Sequence, residues 1–341
     1  MEMRSGFAIL AGLFIVAGLG GCKLRQPLQM KAHLTQEITS GVDSSPIIRM
    51  PVAHYGRCGT TVAIIDVDGL LVHENRTGAM SYGTNPVADF RAKLDYARCH
   101  PELGAIVVRI NSPGGGVTAC DVMWRELQQF KEETGRPVVA MLMDVGTGGS
   151  LYLATAADLI VALPTTITGG IGVIFNVYSL EKPLERLGIA GIPVKAGEKI
   201  DVGTVLSECS EENRELLQAI ADEYQSRFHE RLRSSRGKEL RGDEAFLDGR
   251  ILAPSDAIDA GLIDLVGYLD DAIMMAAEPT GQRAAMAVLL HRQLDPADTP
   301  YAITPSNPIQ GEILPLDIPP LNRPKLPMFL YMWQPNPSYG N

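Results

Sequence analysis

Twice along this chain an aliphatic run passes straight into a glycine-rich turn and then into a helix-forming stretch. The first is Ala105-Ile-Val-Val-Arg-Ile110, followed by Asn111-Ser-Pro-Gly-Gly-Gly116 and a helical pattern over 117–133. The second is a run over 137–143, followed by the turn Gly146–Gly149 and a helical pattern over 151–157. A continuous apolar run, rather than an alternating one, marks a strand covered on both faces. Strands that alternate with helices need crossover connections, which makes the sheet largely parallel. Further strands are expected at 62–67 and 159–162, a helix at 86–99 and a Gly/Thr-rich loop at 165–173. The pattern predicts an α/β fold.

Composition narrows the function. The 341 residues are 45% hydrophobic and 21% charged, an ordinary globular balance that excludes a disordered chain, a collagen or a coiled coil. A net charge of −10 argues against nucleic acid as a partner, because a phosphate backbone needs clustered excess Lys and Arg. The five cysteines form no C-x-x-C pair and the six histidines no H-E-x-x-H pattern, so neither a zinc ribbon, a redox dithiol nor a metallohydrolase is expected, and no cofactor is.

The ends of the chain read differently from its middle. Phe7 to Leu19 is an unbroken run of 13 apolar or small residues behind Arg4. That is short for a membrane span and fits the core of an export signal. It closes on Leu19-Gly20-Gly21-Cys22, which resembles a bacterial lipobox with Cys22 as the lipidated residue. Residues 1–21 are thus read as a lipoprotein signal, 22–60 as a tether, 61–280 as the α/β domain and 281–341 as a Pro-rich arm. The body would lie outside the cytoplasm, anchored to a membrane of the cell envelope through two or more acyl chains. There Cys58, Cys99, Cys120 and Cys209 could pair in three ways, although Cys120 also suits a helix core.

Ser210 suits a helix cap before Glu211 and Glu212. The stripe Leu216, Leu217, Ile220, Tyr224, Phe228 and Leu232 that follows reads as core or subunit contact. The last 46 residues hold 11 prolines, which no regular core would carry, yet they also hold Phe329-Leu-Tyr-Met-Trp333. An extended arm that docks its aromatic end on the body, or on a neighbouring subunit, accounts for both features.

Four islands carry a resemblance. They are Arg109-Ile-Asn-Ser-Pro-Gly-Gly-Gly116; 144–158; Thr166-Ile-Thr-Gly-Gly-Ile-Gly-Val173; and Phe246-Leu-Asp-Gly-Arg250 through Ala257-Ile-Asp-Ala-Gly-Leu-Ile-Asp264. In this order they resemble the signal peptide peptidase A family of bacterial serine peptidases, from about Val62 to Met275. The resemblance implies a crotonase/Clp-like fold of ββα units and ring or dome oligomers facing the membrane. It also implies cleavage of signal peptides or other short hydrophobic peptides by a Ser–Lys dyad, whose two members can come from neighbouring subunits. By the same resemblance Gly114, Gly115, Gly116 and Gly149 belong to the oxyanion and peptide-binding element.

The dyad itself is missing. The family's window reads Asp-Val-Ala-Ala-Ser-Gly-Gly-Tyr-Tyr-Ile-Ala, and here it reads Asp144-Val-Gly-Thr-Gly-Gly-Ser-Leu-Tyr-Leu-Ala154. Without a gap, the nucleophile position falls on Gly148. The family's base lies in Lys-Ser-Gly-x-x-Lys-Asp; the chain has Lys195-Ala-Gly-Glu-Lys-Ile-Asp201, which puts Ile200 at the base position. Ser150 and Thr147 are the nearest hydroxyls and Lys199 the nearest amine that could stand in.

Three readings follow. The first is a noncatalytic, membrane-anchored member that binds peptides or assembles, as a homo-oligomer or a mixed ring, with active paralogues. The second is an active serine endopeptidase with a relocated nucleophile, Ser150. The third, an acyl-CoA hydratase on the same scaffold, is disfavoured by export away from the CoA pool and by Glu126 standing apart from Glu132 and Glu133.

Overall fold

Three runs of buried aliphatic residues, at 62–65, 105–108 and 138–142, form the middle of one sheet. A computed structural model describes residues 45–304 and 328–333, apart from positions 58, 76, 79–80, 83–84, 242–244, 294 and 296. In chain order the elements are β1 (Ile47–Tyr55), β2 (Thr60–Asp68), β3 (Thr77–Gly78), β4 (Ser81–Tyr82), α1 (Pro86–Cys99), β5 (Leu103–Ser112), β6 (Gly114–Gly116), α2 (Val117–Thr134), β7 (Val138–Thr147), α3 (Gly149–Ala154), β8 (Leu159–Ala162) and β9 (Ile167–Gly169). There follow α4 (Glu181–Arg186), α5 (Glu211–Arg236), β10 (Ile251–Leu252), α6 (Pro254–Asp259), β11 (Leu265–Val266), α7 (Leu269–Ala277), β12 (Ala285–Arg292) and β13 (Leu330–Met332).

The main sheet runs β1-β12-β2-β5-β7-β8-β11. All its neighbours pair in parallel except β1 with β12. The α/β fold of ββα units with a mostly parallel sheet is therefore present. Alternate residues of β5 explain the unbroken apolar run: Ile106, Val108 and Ile110 pack with Phe90, Leu94, Leu127 and Phe130 on one face. Ala105 and Val107 pack with Leu269, Ala272, Ile273 and Ala276 of α7 on the other.

The helix signals act where expected. The Asn85 side chain accepts from the amides of Val87 and Ala88 ahead of Pro86, α2 stops at Gly135 in the left-handed region, and Ser210 Oγ accepts from the Asn213 amide. On α5 only the second half of the apolar stripe is core. Phe228 and Leu232 are buried, whereas Leu216 and Ile220 are 46% and 37% exposed.

The sheet extends past both expected limits of the α/β domain. Strand β1 lies in the stretch read as a tether, and β12 in the stretch read as a Pro-rich arm. Pro51 is tolerated in β1 because that strand is an edge, bonded among the described residues only to β12, with the register shifting between Pro51 and Ala53. Beyond β12, residues 300–304 are held by buried charges. Arg109 pairs with Asp66 at 2.9 Å and donates to the carbonyls of Pro300 and Ala302. Asp66 accepts from the Thr304 amide at 2.7 Å, and the buried Lys93 bridges Asp89 at 2.8 Å and the Thr304 carbonyl at 3.2 Å.

Cys99, Cys120 and Cys209 are free thiols; Cys58 lies outside the described residues, as do the signal segment, Cys22 and most of the expected tether. No helix among the described residues is long and apolar enough to cross a membrane.

Candidate active-site groove

Strand β7 is shared along its length. Its first half pairs with β8, while Val145–Thr147 pair with β9. The sheet thus splits where β7 ends, and the chain must turn sharply into α3. Gly148 makes that turn at φ 56°, ψ −121°. An L side chain there is strained by about 1–3 kcal/mol, and this strand-to-helix elbow is the kind of turn on which hydrolases present a nucleophile. The position assigned to the nucleophile is thus an elbow in the fold, but it carries no side chain.

A second glycine turn abuts the first. Gly114 sits at φ 103° and its amide donates to Ser112 Oγ at 3.0 Å. The two turns are tied by hydroxyls. Ser150 is fully buried, its hydroxyl shared between the carbonyls of Ser112 and Thr147, each at 2.8 Å. Thr147, also fully buried, donates to the Pro113 carbonyl at 3.2 Å. Both candidate replacements for the nucleophile are thus engaged in holding backbone.

The base region is exposed, and Gly203 just beyond it approaches Phe175, where a Cβ would stand 3.5 Å from the ring. Ile200 is 73% exposed. Lys199 pairs with Glu212 at 2.6 Å and Lys195 with Asp201 at 2.7 Å. Cys120 lies under the elbow, where its Sγ would be 2.2 Å from a Cβ on Gly149. Burial pushes its thiol far above the ordinary cysteine range, which keeps it inert as a nucleophile.

Between the two turns runs β13. It pairs antiparallel with β6, Leu330 opposite Gly116, Tyr331 opposite Gly115 and Met332 opposite Gly114. The Val117 amide donates to the Phe329 carbonyl at 3.0 Å, and the Trp333 amide to that of Pro113 at 3.1 Å. On its other edge Leu330 exchanges two hydrogen bonds of 2.9 Å with Ile174. The groove is therefore a slot between β6 and Ile174 that bonds an extended strand on both edges.

The fit at the elbow is close. A Cβ on Gly148 would stand 2.6 Å from the Tyr331 carbonyl oxygen, 2.9 Å from its carbonyl carbon and 3.0 Å from the Met332 nitrogen. A Cβ on Gly114 would stand 2.0 Å from the same oxygen and one on Gly149 3.1 Å. The structure thus gathers Gly114, Gly148 and Gly149 around one peptide bond, while Gly115 and Gly116 pair along β13 with Tyr331 and Leu330.

Below that bond the Tyr331 side chain is fully buried. Its ring stacks on Tyr152 at 5.3 Å and lies 4.9 Å from Phe228, and its phenol donates to the Tyr224 carbonyl at 2.5 Å. Phe329 stacks on Phe175 at 4.6 Å and meets Tyr224 edge-on at 5.3 Å. Tyr152 in turn donates to Asp121 at 2.5 Å, and Arg227 pairs with that carboxylate at 2.8 Å. Burial, then the hydrogen bond to Asp121, pushes the Tyr152 phenol up to about 12. Burial raises the Asp121 carboxyl, but the bonds from Arg227 and Tyr152 outweigh it and hold the group below the usual range.

The walls at Phe175, Tyr224 and Phe228 and the edge at Ile174 lie outside the sequence islands, and Tyr152 lies inside one without being marked as a wall. The one signal pointing to them is the alternation Phe329, Tyr331, Trp333, since residues two apart share one face of a strand.

Residues 130–283 match the model of peptidase family S49. A putative protease of Synechocystis sp. is 32% identical over 205 residues, covering 60% of this chain and 72% of that protein. Protease 4 of Salmonella typhi is 30% identical over 220 residues, covering 64% of this chain and 35% of its own length. The chloroplastic serine protease SPPA of Arabidopsis thaliana is 35% identical over 187 residues, covering 54% of this chain and 27% of its own length. The chain thus spans only about a third of the latter two. The structure of a mutant of the 1510-N membrane-bound stomatin-specific protease superposes with a TM-score of 0.41 at 16% identity, covering 63% of this chain and 84% of that one, a likeness too slight to argue from. With the coverage of the Synechocystis relative and the matched family model together, the chain belongs to peptidase family S49.

Proposed function

We propose that this chain is a noncatalytic S49 member that binds extended peptides in the slot between β6 and Ile174. The observation that carries the reading is Gly148: the elbow faces a peptide bond, with no atom on it to attack. The binding half of the apparatus supports the same reading, because a strand bonded on both edges, with a carbonyl packed closely against the glycines at 114, 148 and 149, needs neither member of the dyad. A lipid on Cys22 would hold the body at a membrane of the cell envelope. The exposed apolar residues Leu216 and Ile220 of α5 suit contact with further subunits, whether identical chains or active paralogues. Short hydrophobic peptides, signal-peptide remnants among them, are the partners that match the slot's apolar walls.

The test is binding measured together with turnover. A library of short hydrophobic peptides is incubated with the purified protein and then recovered for mass spectrometry. Retention of peptides on the protein with their masses unchanged is expected. Fragments that vanish with Ser150→Ala would instead establish an active endopeptidase with a relocated nucleophile.

A further inference from the structure

We propose that Asn111 is the positioning residue of the slot: its side-chain amide, shared between Asp68 and the Val145 backbone, fixes how far apart the two glycine turns stand. The inference rests on the peptide-binding reading above and adds to it the residue that sets the slot's dimensions.

The sheet register shows where such a residue is needed. From Ile110 to Ser112 strand β5 advances two residues, while its partner β7 advances four, from Leu142 to Gly146. The excess falls where β7 passes from β8 to β9. A bulge of this kind interrupts the ladder and leaves backbone groups to be satisfied by other means. Asn111 lies on β5 opposite that excess. Its Oδ1 accepts from the Val145 amide at 3.2 Å, and its Nδ2 donates to Asp68 Oδ1 at 3.2 Å. Its backbone carbonyl accepts from the Gly69 amide at 2.9 Å.

One residue thus joins the three segments that frame the slot. Gly114 lies three residues beyond Asn111, and Gly148 three beyond Val145. Past Gly69, Leu71 exchanges two hydrogen bonds of 2.9 Å with β6, donating to the Gly114 carbonyl and accepting from the Gly116 amide. The spacing is tight. Cβ atoms at 114 and 148 would stand 2.0 and 2.6 Å from the carbonyl oxygen of Tyr331 in β13, the guest of the slot. A small relative shift of the two turns therefore changes the fit of any strand between them.

The two partners make opposite demands on the side chain at 111. The Val145 N–H needs an acceptor and the Asp68 carboxylate a donor. Of the side chains of this length only an amide offers both. Aspartate would keep the first bond but set a second carboxylate against Asp68. Ser150 and Thr147 also tie the turns, through hydroxyls that reach carbonyls of the turns themselves. Asn111 acts one step earlier, on the strand ends from which both turns start.

The experiment compares the full chain with Asn111→Asp, with Asp68→Asn, and with the double variant in which amide and carboxylate have exchanged places. Hydrogen exchange is read at the Val117, Leu330 and Trp333 amides, which bond across the slot. Binding of a fluorescein-labelled hexapeptide of alternating leucine and alanine is read by anisotropy. Asn111→Asp should speed exchange at these amides and weaken peptide binding by about 5–150-fold, the range for one polar group left unsatisfied. Amides of β2 and β12 should keep their protection. Asp68→Asn alone should change little, and the double variant should return to the parent's values, which a mere packing role for Asn111 would not allow.

Parent-like exchange and binding in Asn111→Asp, or a double variant no better than Asn111→Asp, would overturn the proposal. A parent that does not bind the hexapeptide, with exchange following the expected pattern, would overturn the peptide-binding reading and leave the role of Asn111 standing. Asn111→Ala covers the case in which Asn111→Asp does not fold, since it removes both side-chain bonds without adding a charge. Unchanged exchange at Val117, Leu330 and Trp333 in that variant would overturn the proposal as well.

Discussion

Replacing Gly148 by alanine adds one carbon at the point where elbow and guest meet. Two costs follow from the structure. The backbone at φ 56°, ψ −121° is nearly reserved for glycine, which costs a side chain about 1–3 kcal/mol. The added Cβ would also lie 2.6 Å from the Tyr331 carbonyl oxygen and 2.9 Å from its carbon, an overpacking worth about 1–3 kcal/mol. The first cost cannot be escaped without rebuilding the elbow, whereas the second vanishes if 328–333 leaves the slot. Gly148→Ala should therefore shift the guest outward while the α/β body stays folded. The assay is hydrogen exchange resolved to short peptides. Exchange across 328–333 should accelerate by about 5–150-fold, at 1.4 kcal/mol for each factor of ten, while amides of β5 and β7 keep their protection. Unchanged protection of 328–333 in a folded Gly148→Ala protein would refute the reasoning, because the close contact would then be met by movement elsewhere.

Restoring both dyad positions, with Gly148→Ser and Ile200→Lys, should turn the guest into a substrate. The new hydroxyl would form an ester with the Tyr331 carbonyl carbon, the Met332 amine would leave with the lysine's proton, and water would hydrolyse the ester; intact mass should show loss of residues 332–341, and a stable full-length double variant would mean that the base does not reach the elbow. Arg109→Ala should lower stability by about 3–5 kcal/mol, because it leaves the buried Asp66 without its partner, and chemical denaturation measures it. The Tyr152 phenol is raised from 10.0 to about 12, so its contribution to stability is full below pH 10 and lost as pH rises through about 12. Tyr331 is raised as well, chiefly by burial, and adds to the same alkaline loss. Thermal melts from pH 9 to 12 should show a smaller decline in Tyr152→Phe than in the parent.

The strands most legible in the sequence are those whose residues are buried on both sides. The runs at 62–67 and 105–110 could hardly be anything but central strands, because a helix that short would not bury every position. Strand β12, Ala285–Arg292, has an equally apolar run but sits next to a proline-rich stretch that dominates the reading of its neighbourhood. Strand β1 carries Pro51 and alternates poorly, as an edge with one partner is free to do. The elbow was legible because flanking residues fix the window around Gly148 without a gap. The pocket for Tyr331 was not. Its walls come from α3 and α5, and no local spacing reports that Tyr152, Phe228 and Tyr331 converge. The partial exposure of Leu216 and Ile220 was hidden for the same reason: helical periodicity marks an apolar face but not what covers it.

The most direct measurement of the central claim is covalent labelling of the purified full chain, and of the chain ending at residue 327, with a fluorophosphonate. A peptide-binding frame emptied of its nucleophile should return the unmodified mass in both proteins at any practical excess of probe. A stoichiometric adduct mapped to Ser150 or Thr147, above all one that appears when the slot is vacated, would contradict the account and make this chain a working serine peptidase.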